Sequence, residues 1–369
     1  MTAIVVGLGG MGSAALYHLA RRGVHAIGLE QFSPGHLRGA SHGRSRVIRQ
    51  AYFEDSRYVP LLKRSYELWA DLNAKAVDPI WNLCGGLAVG DPQSALIAGN
   101  LESARAHDIA HELLAPAGIA KRFPAFKPKP NEIGVYEPTA GAVFPERAVV
   151  EHLRAAIAHG AQAHFGVPVS RIDSARESVT VTMADGTVFK GERLILTAGP
   201  WLRDFAPFPV RVERNVQHWF EPPQGPAPDL VFMAQRPEWP YLLYGFPDLG
   251  EGVKAAFHHS GAFIAHAREH DERAHGEEIA GVRHALEALF GDIGKHRRSE
   301  PCMYALTPDE HFIIGTSPKD ANVIVAGGFS GHGFKFCSVV GEILADLCVD
   351  GSTPLDISLF NPARFATGE

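Results

Sequence analysis

Apolar positions at the start of the chain gather into two short blocks, residues 4–6 and 24–29, with glycines at 7, 9, 10 and 12 after the first. Blocks of that length suit strands covered on both faces, and the apolar-rich stretch 14–19, ending near Gly23, suits a helix between them. Because the second block closes in Glu30, residues 4–30 predict strand, glycine turn, helix, strand and acid in one unit.

Farther along the pattern changes. Residues 146–159 predict a helix stopped by Gly160, and residues 178–181 and 187–190 flank an Asp185-Gly186 turn, which is a hairpin signal. An apolar strand over 193–198 runs into Gly199, Pro200 and Trp201. Between 205 and 308, short strand-like runs such as 241–246 alternate with Pro- and Gly-rich turns, predicting an inserted and largely antiparallel sheet. A buried strand over 323–326, a glycine-rich turn over 327–333 and a helix over 338–347 then return the chain to the unit where it began. No repeat at a fixed period is visible.

Composition narrows the classes. The chain has 369 residues, 46% of them hydrophobic and 21% charged, enough for two domains sharing an interface. A net charge of -6 offers no basic field for nucleic acid. No apolar run is long enough for a membrane span, and the glycine motif beginning at Gly7 leaves no room for a signal peptide, so the expected location is the cytoplasm. Cys84, Cys302, Cys337 and Cys348 are scattered without a CxxC pair, which suggests neither a metal site nor a disulfide framework.

Candidate chemistry starts at the glycines. Gly7, Gly9 and Gly12 permit a tight turn, close approach of a pyrophosphate to backbone N–H groups and close helix–strand packing, and Glu30 stands where a carboxylate accepts from ribose hydroxyls. The bland alternative is a glycine turn of structural meaning only. The acid disfavours a 2′-phosphate, leaving FAD and NAD open. Arg44, Arg46 and Arg49 crowd one segment; in an extended chain Arg44 and Arg46 share a side and Arg49 takes the other, unless the segment is a solvated basic loop. Lys254 lies in a mostly apolar stretch and is either a surface residue or a cation held near a reactive centre. Cys302 reads by default as a small buried hydrophobe. Lys335 follows a glycine-rich loop leading into a helix, a geometry that presents N–H donors to an anion.

Several blocks in order, Gly7 to Gly12 with Glu30, SHGRSRVIRQAY from Ser41, YGFP from Tyr244, Lys254 with His258, CMYALTPDEHFIIG from Cys302 and GGFSGHGFKF from Gly327, resemble the monomeric sarcosine oxidase and N-methyltryptophan oxidase family nearly end to end. The resemblance implies an α/β fold: a Rossmann-type FAD-binding domain, discontinuous over 1–80, 140–205 and 309–369, and an α+β substrate domain over 81–139 and 206–308 built on a mainly antiparallel sheet. It implies FAD joined covalently through Cys302, with cofactor contacts from Gly7, Gly9, Gly12, Glu30, Ser41, His42, Arg46, Gly199, Trp201, Gly331, Gly333 and Lys335. Arg49 and Lys335 then clamp a substrate carboxylate, and Met233, Tyr244 and His258 line the pocket. Arg46 and Lys254 lie on opposite sides of the flavin, the lysine in oxygen activation. The implied reaction takes sarcosine or another N-methyl amino acid, with molecular oxygen, to an imine that hydrolyses to amine and aldehyde, plus hydrogen peroxide, in a monomer. The alternatives are a cyclic imino acid, a glycated or a primary amino acid as substrate, a flavin or NAD-dependent dehydrogenase, or a non-catalytic flavin subunit.

Overall fold

In the first strand, Thr2–Val6, alternate side chains face opposite ways, and both ways are covered. Ala3 and Val5 pack among helices, whereas Ile4 and Val6 pack against a second layer of strand. This strand is central to a sheet ordered Ile313–Ser317, Asp320–Gly327, Arg193–Leu196, Thr2–Val6, His25–Glu30 and Gln162–Phe165 in a computed structural model that describes residues 1–365. Its neighbours are parallel except the edge pair of Ile313–Ser317 with Asp320–Gly327. Residues 366–369, assigned above to the FAD domain, lie outside the described residues.

Three helices cover one face: Gly10–Arg21, Pro145–Ala158 and Cys337–Asp350. The other face is covered by a three-stranded sheet, Val169–Ala175, Ser178–Met183 and Val188–Gly191, whose Val179, Val181 and Met183 meet Ile4, Ile27 and Leu194. The unbroken apolar runs Ala3 to Val6 and Leu194 to Leu196 in the central strands are the consequence of this double covering.

A second sheet of nine strands, counted among the described residues, draws on the stretches between those elements. Its order is Phe263–Ile264, Arg211–Phe220, Val253–Phe257, Leu243–Phe246, Val231–Gln235, Gly86–Gly90, Ile133–Glu137 and Glu112–Leu114, with His296–Leu306 also paired to Arg211–Phe220. It is antiparallel apart from the pairing of Val231–Gln235 with Gly86–Gly90, which join distant parts of the chain and so escape any local hairpin signal. Helix Gly276–Phe290 seals its back through Ala285, Leu286 and Leu289 against Phe220, Phe232 and Val253. Burying such side chains stabilises this layer by roughly 1.5–3 kcal/mol each. A small sheet of Arg46–Ile48, Gly141–Val143 and Trp81–Asn82 completes the strand layers.

No helix among the described residues is long and apolar enough to cross a membrane. No group of three or more His, Cys, Asp or Glu among them is arranged to hold a metal ion.

Candidate active site

Gly7 lies at φ 89°, where a Cβ would come within 2.6 Å of Thr197 O, and a Cβ on Gly12 would meet Gly7 O at 1.8 Å. Only glycine fits either position, so the first strand hands over to the helix Gly10–Arg21 with its N-terminus open. The helix cap, Gly9, offers no side chain, and of the first-turn donors Gly10 N is taken by Ser41 Oγ at 3.0 Å. This positive helix end borders a cavity of about 410 Å³ that runs from the glycine turn into the nine-stranded sheet.

At the glycine end the lining includes Gly7, Gly9, Glu30, Ser41, Gly199 and Trp201. Glu30 is 7% exposed; its Oε2 accepts from Leu8 N at 2.9 Å and its Oε1 from Phe32 N at 3.0 Å. A carboxylate held that way keeps lone pairs for ribose hydroxyls. The Trp201 and Phe32 rings stand 5.7 Å apart beside it. Gly331 and Gly333 also line the cavity.

The far end gathers cations and phenols. Arg46, Arg49, Met233, Tyr244, His258 and Lys335 all line it. Arg49 Cζ is 4.4 Å and Lys335 Nζ 5.1 Å from the centroid of the buried Tyr52 ring, so one aromatic ring contacts both. Arg49 grips Glu54 through Nη2, at 2.8 Å to Oε1 and 2.7 Å to Oε2. Burial alone would raise the Glu54 carboxyl, but Arg49, His332 and Lys335 hold it below its ordinary value. Lys335 Nζ donates to His332 O at 2.7 Å; burial, then Arg49, bring its ammonium down to about 7. His332 is fixed in turn by Tyr52, whose hydroxyl is 2.5 Å from His332 Nδ1. Burial pushes the His258 imidazole well below its ordinary value, and its Nδ1 is 3.4 Å from the Tyr304 hydroxyl.

Four expected residues are not on the cavity wall. Gly12 acts through packing, as its 1.8 Å approach requires. Cys302 is buried one layer behind, its Sγ 3.7 Å from Arg46 Nη2; burial raises its thiol, opposed by Arg46 and Lys254. Lys254 is 2% exposed and donates to Gly43 O at 2.7 Å, Ser45 O at 2.6 Å and Ser45 Oγ at 3.0 Å, with burial pulling its ammonium well below the usual range. His42, expected among the cofactor contacts, has its ring directed to the interior, with Nδ1 4.0 Å from Glu300 Oε2 and no hydrogen-bond partner for either nitrogen among the described residues. Burial keeps that imidazole neutral down to about 3.

Arg44 also departs from the extended-chain expectation. Gly43 and Arg44 take φ 98° and 66°, a double left-handed turn that ends the alternation and leaves Arg44 exposed, 3.9 Å from Glu251. The strand starts only at Arg46. Arg46 donates from Nη1 to Ser45 O and Gln217 Oε1, both at 3.0 Å, and so faces the cavity with its guanidinium already oriented. Glu54, Phe53, Leu242, His332 and Tyr304 line the cavity without having been expected. Tyr304 lies two residues past Cys302 on the same strand face, a period-two relationship that points to it from sequence. Glu54 gives no such signal, because its partnership with Arg49 arises from a bend after the strand.

The double-covered parallel sheet, the glycine turn and the acid at the second strand form the architecture of a dinucleotide-binding protein. The chain belongs to the FAD dependent oxidoreductase family, DAO, whose model matches residues 2–347. It is 42% identical to the monomeric sarcosine oxidase of Streptomyces avermitilis over 98% of this chain and 97% of that one. It is 34% identical to the N-methyl-L-tryptophan oxidase of Yersinia pestis over 98% of both. Among solved structures, NikD, an unusual amino acid oxidase essential for nikkomycin biosynthesis, matches with a TM-score of 0.85 at 24% identity over 98% of this chain and 96% of that one. L-proline dehydrogenase from P. horikoshii matches with 0.87 at 21%, covering 99% and 97%; both share the fold. The family decides the choice between FAD and NAD that the glycine motif left open.

Proposed function

We propose that this enzyme oxidises the carbon–nitrogen bond of a secondary α-amino acid of the N-methyl kind, such as sarcosine, with molecular oxygen as acceptor and hydrogen peroxide as product. The observation that carries the reading is the pairing of two buried cations, Arg49 and Lys335, on one cavity wall beyond the glycine turn. Two such donors suit one carboxylate, and charge-assisted contacts of this type contribute about 1.5–3 kcal/mol each. The names of the relatives at 42% and 34% identity support an N-methyl amino acid as substrate class.

Bound FAD supplies the two-electron acceptor that returns its electrons to oxygen. Gly7, Gly9, the helix N-terminus and Glu30 would hold its pyrophosphate and ribose, and Arg46 its ring end. Arg49 and Lys335 bind and orient the substrate carboxylate, lowering the entropic part of the barrier. Neutral His258 accepts from the substrate nitrogen, and Met233, Leu242 and Tyr244 exclude water from the reacting carbon. Lys254 contributes positive charge behind the 43–45 turn, and in our reading it favours charge development during reaction with oxygen. Cys302 is the proposed covalent anchor, and in this reading the parallel sheet belongs to a cofactor unit and the nine-stranded sheet to a substrate unit. The enzyme acts as a cytoplasmic monomer in this reading.

A panel of N-methyl, cyclic, glycated and primary amino acids, assayed for peroxide, tests the assignment. Preference for sarcosine or another N-methyl amino acid is expected. Preference for proline or a primary amino acid overturns it.

A further inference from the structure

The corner that carries His258 to the cavity wall is held from behind by side chains that the chemistry above does not use. Strand Val253–Phe257 ends there, and the chain turns through His258, His259, Ser260 and Gly261. His259 has φ 57°, a left-handed conformation uncommon outside glycine and entered mainly by asparagine, aspartate and histidine. Two residues of strand Arg211–Phe220 stabilise the turn. Glu213, 3% exposed, accepts from Gly261 N at 3.0 Å and faces His259 Nδ1 at 3.3 Å. Asn215 Oδ1 accepts from the Ser260 N–H at 3.4 Å and hydroxyl at 3.3 Å, and the Asn215 amide donates to Glu213. Arg214, between them, is engaged elsewhere, donating to Glu278 Oε1 at 2.6 Å and Asp271 O at 2.9 Å.

Glu213 is therefore a buried carboxylate whose ionic partner at this corner is His259, an ion pair whenever the imidazole carries its proton. The His259 ring centroid is 4.0 Å from that of His258. Tyr304 lies 5.5 Å from His258 and Tyr244 6.4 Å, and across the cavity stand His332, Lys335 and Arg49. These facing groups are aromatic or basic, and the Glu54 carboxylate on the same cavity wall is taken by Arg49.

We propose that Glu213 and His259 are positioning residues for His258: the carboxylate pins the corner through Gly261 and the His259 ring, and the His259 ring packed at 4.0 Å holds the His258 imidazole on the cavity wall as an acceptor toward the substrate nitrogen. This rests on the amine-oxidation reading above. Burial and then His259 lower the His258 imidazole. A neutral imidazole accepts a hydrogen bond from the substrate N–H, whereas an imidazolium has none to accept and repels an ammonium.

The test uses FAD-loaded enzyme with isotope-labelled histidine and follows the His258 ring by NMR through a pH titration, beside its His259→Asn variant. Asparagine tolerates the left-handed turn, so the fold is retained. The His258 titration is expected to move up by about one pH unit in His259→Asn. A structural role alone would leave it in place, and an unmoved titration overturns the proposal. In Glu213→Gln, kcat/KM for sarcosine is expected to fall about tenfold with an unchanged flavin spectrum; wild-type kcat/KM also overturns it. If no N-methyl amino acid reduces the wild-type flavin, the amine-oxidation reading fails, and the NMR titration still decides the role of the pair.

Discussion

Arg49 holds both oxygens of Glu54 with one guanidinium nitrogen, at 2.8 and 2.7 Å, in a cavity wall that also presents Lys335. The guanidinium that the resemblance assigns to a substrate carboxylate already has a carboxylate of the protein. Substrate must share or displace it.

Glu54→Gln is therefore expected to strengthen binding of acetate, a carboxylate without an amine, by about tenfold, equivalent to ~1.4 kcal/mol. Titration of the flavin spectrum with acetate measures this. Weaker acetate binding would mean that Glu54 orients Arg49 for its ligand rather than competing with it.

Lys335 sets a pH dependence. Its ammonium is brought down to about 7 by burial and Arg49, so the cation is present below that pH and lost above it. Acetate affinity is expected to fall as pH rises through about 7 and to lose that limb in Lys335→Met. Stability runs the opposite way: between about 7 and the ordinary 10.5 the unfolded chain binds the proton and the folded one does not, so this group's contribution to stability rises with pH. Flat acetate affinity across neutrality would show the ammonium to be retained.

Much of this was legible beforehand, for definable reasons. The strand–turn–helix–strand unit is local, and its glycines answer to steric demands inside a few residues, as Gly12 against Gly7 O illustrates. The hairpin at Asp185-Gly186 is likewise local, with Thr180 opposite Lys190 across it. The pairing of Val231–Gln235 with Gly86–Gly90 is not local, and no periodicity announces it. Arg44 went astray because Gly43 and Arg44 both turn left-handed, and alternation assumes that they do not. Glu54 was invisible because an acid five residues after an arginine carries no signature until the intervening bend is known.

Lys254→Met is expected to leave flavin reduction by substrate largely intact while slowing reoxidation by oxygen by orders of magnitude. The variant also strands the carbonyls of Gly43 and Ser45, with a stability loss of about 1–3 kcal/mol for a buried acceptor left unpaired. Stopped-flow measurement of the two half-reactions, with a thermal melt, separates the effects. Normal oxygen kinetics in a destabilised variant would assign Lys254 to the turn alone.

Cys302 lies 3.7 Å from Arg46 at the ring end of the proposed cofactor site. Acid precipitation is expected to leave the yellow colour in the pellet for wild type and in the supernatant for Cys302→Ser. Colour released from wild type would remove the covalent role and leave Cys302 as a buried thiol.

The most direct test mixes FAD-loaded protein anaerobically with sarcosine and other N-methyl amino acids, follows the flavin absorbance, then admits oxygen and measures peroxide. The account predicts bleaching by an N-methyl amino acid, recovery of colour with peroxide released, and bleaching that needs far more substrate or becomes far slower in Arg49→Ala. A flavin that no N-methyl amino acid bleaches, or one bleached equally well without Arg49, would contradict it.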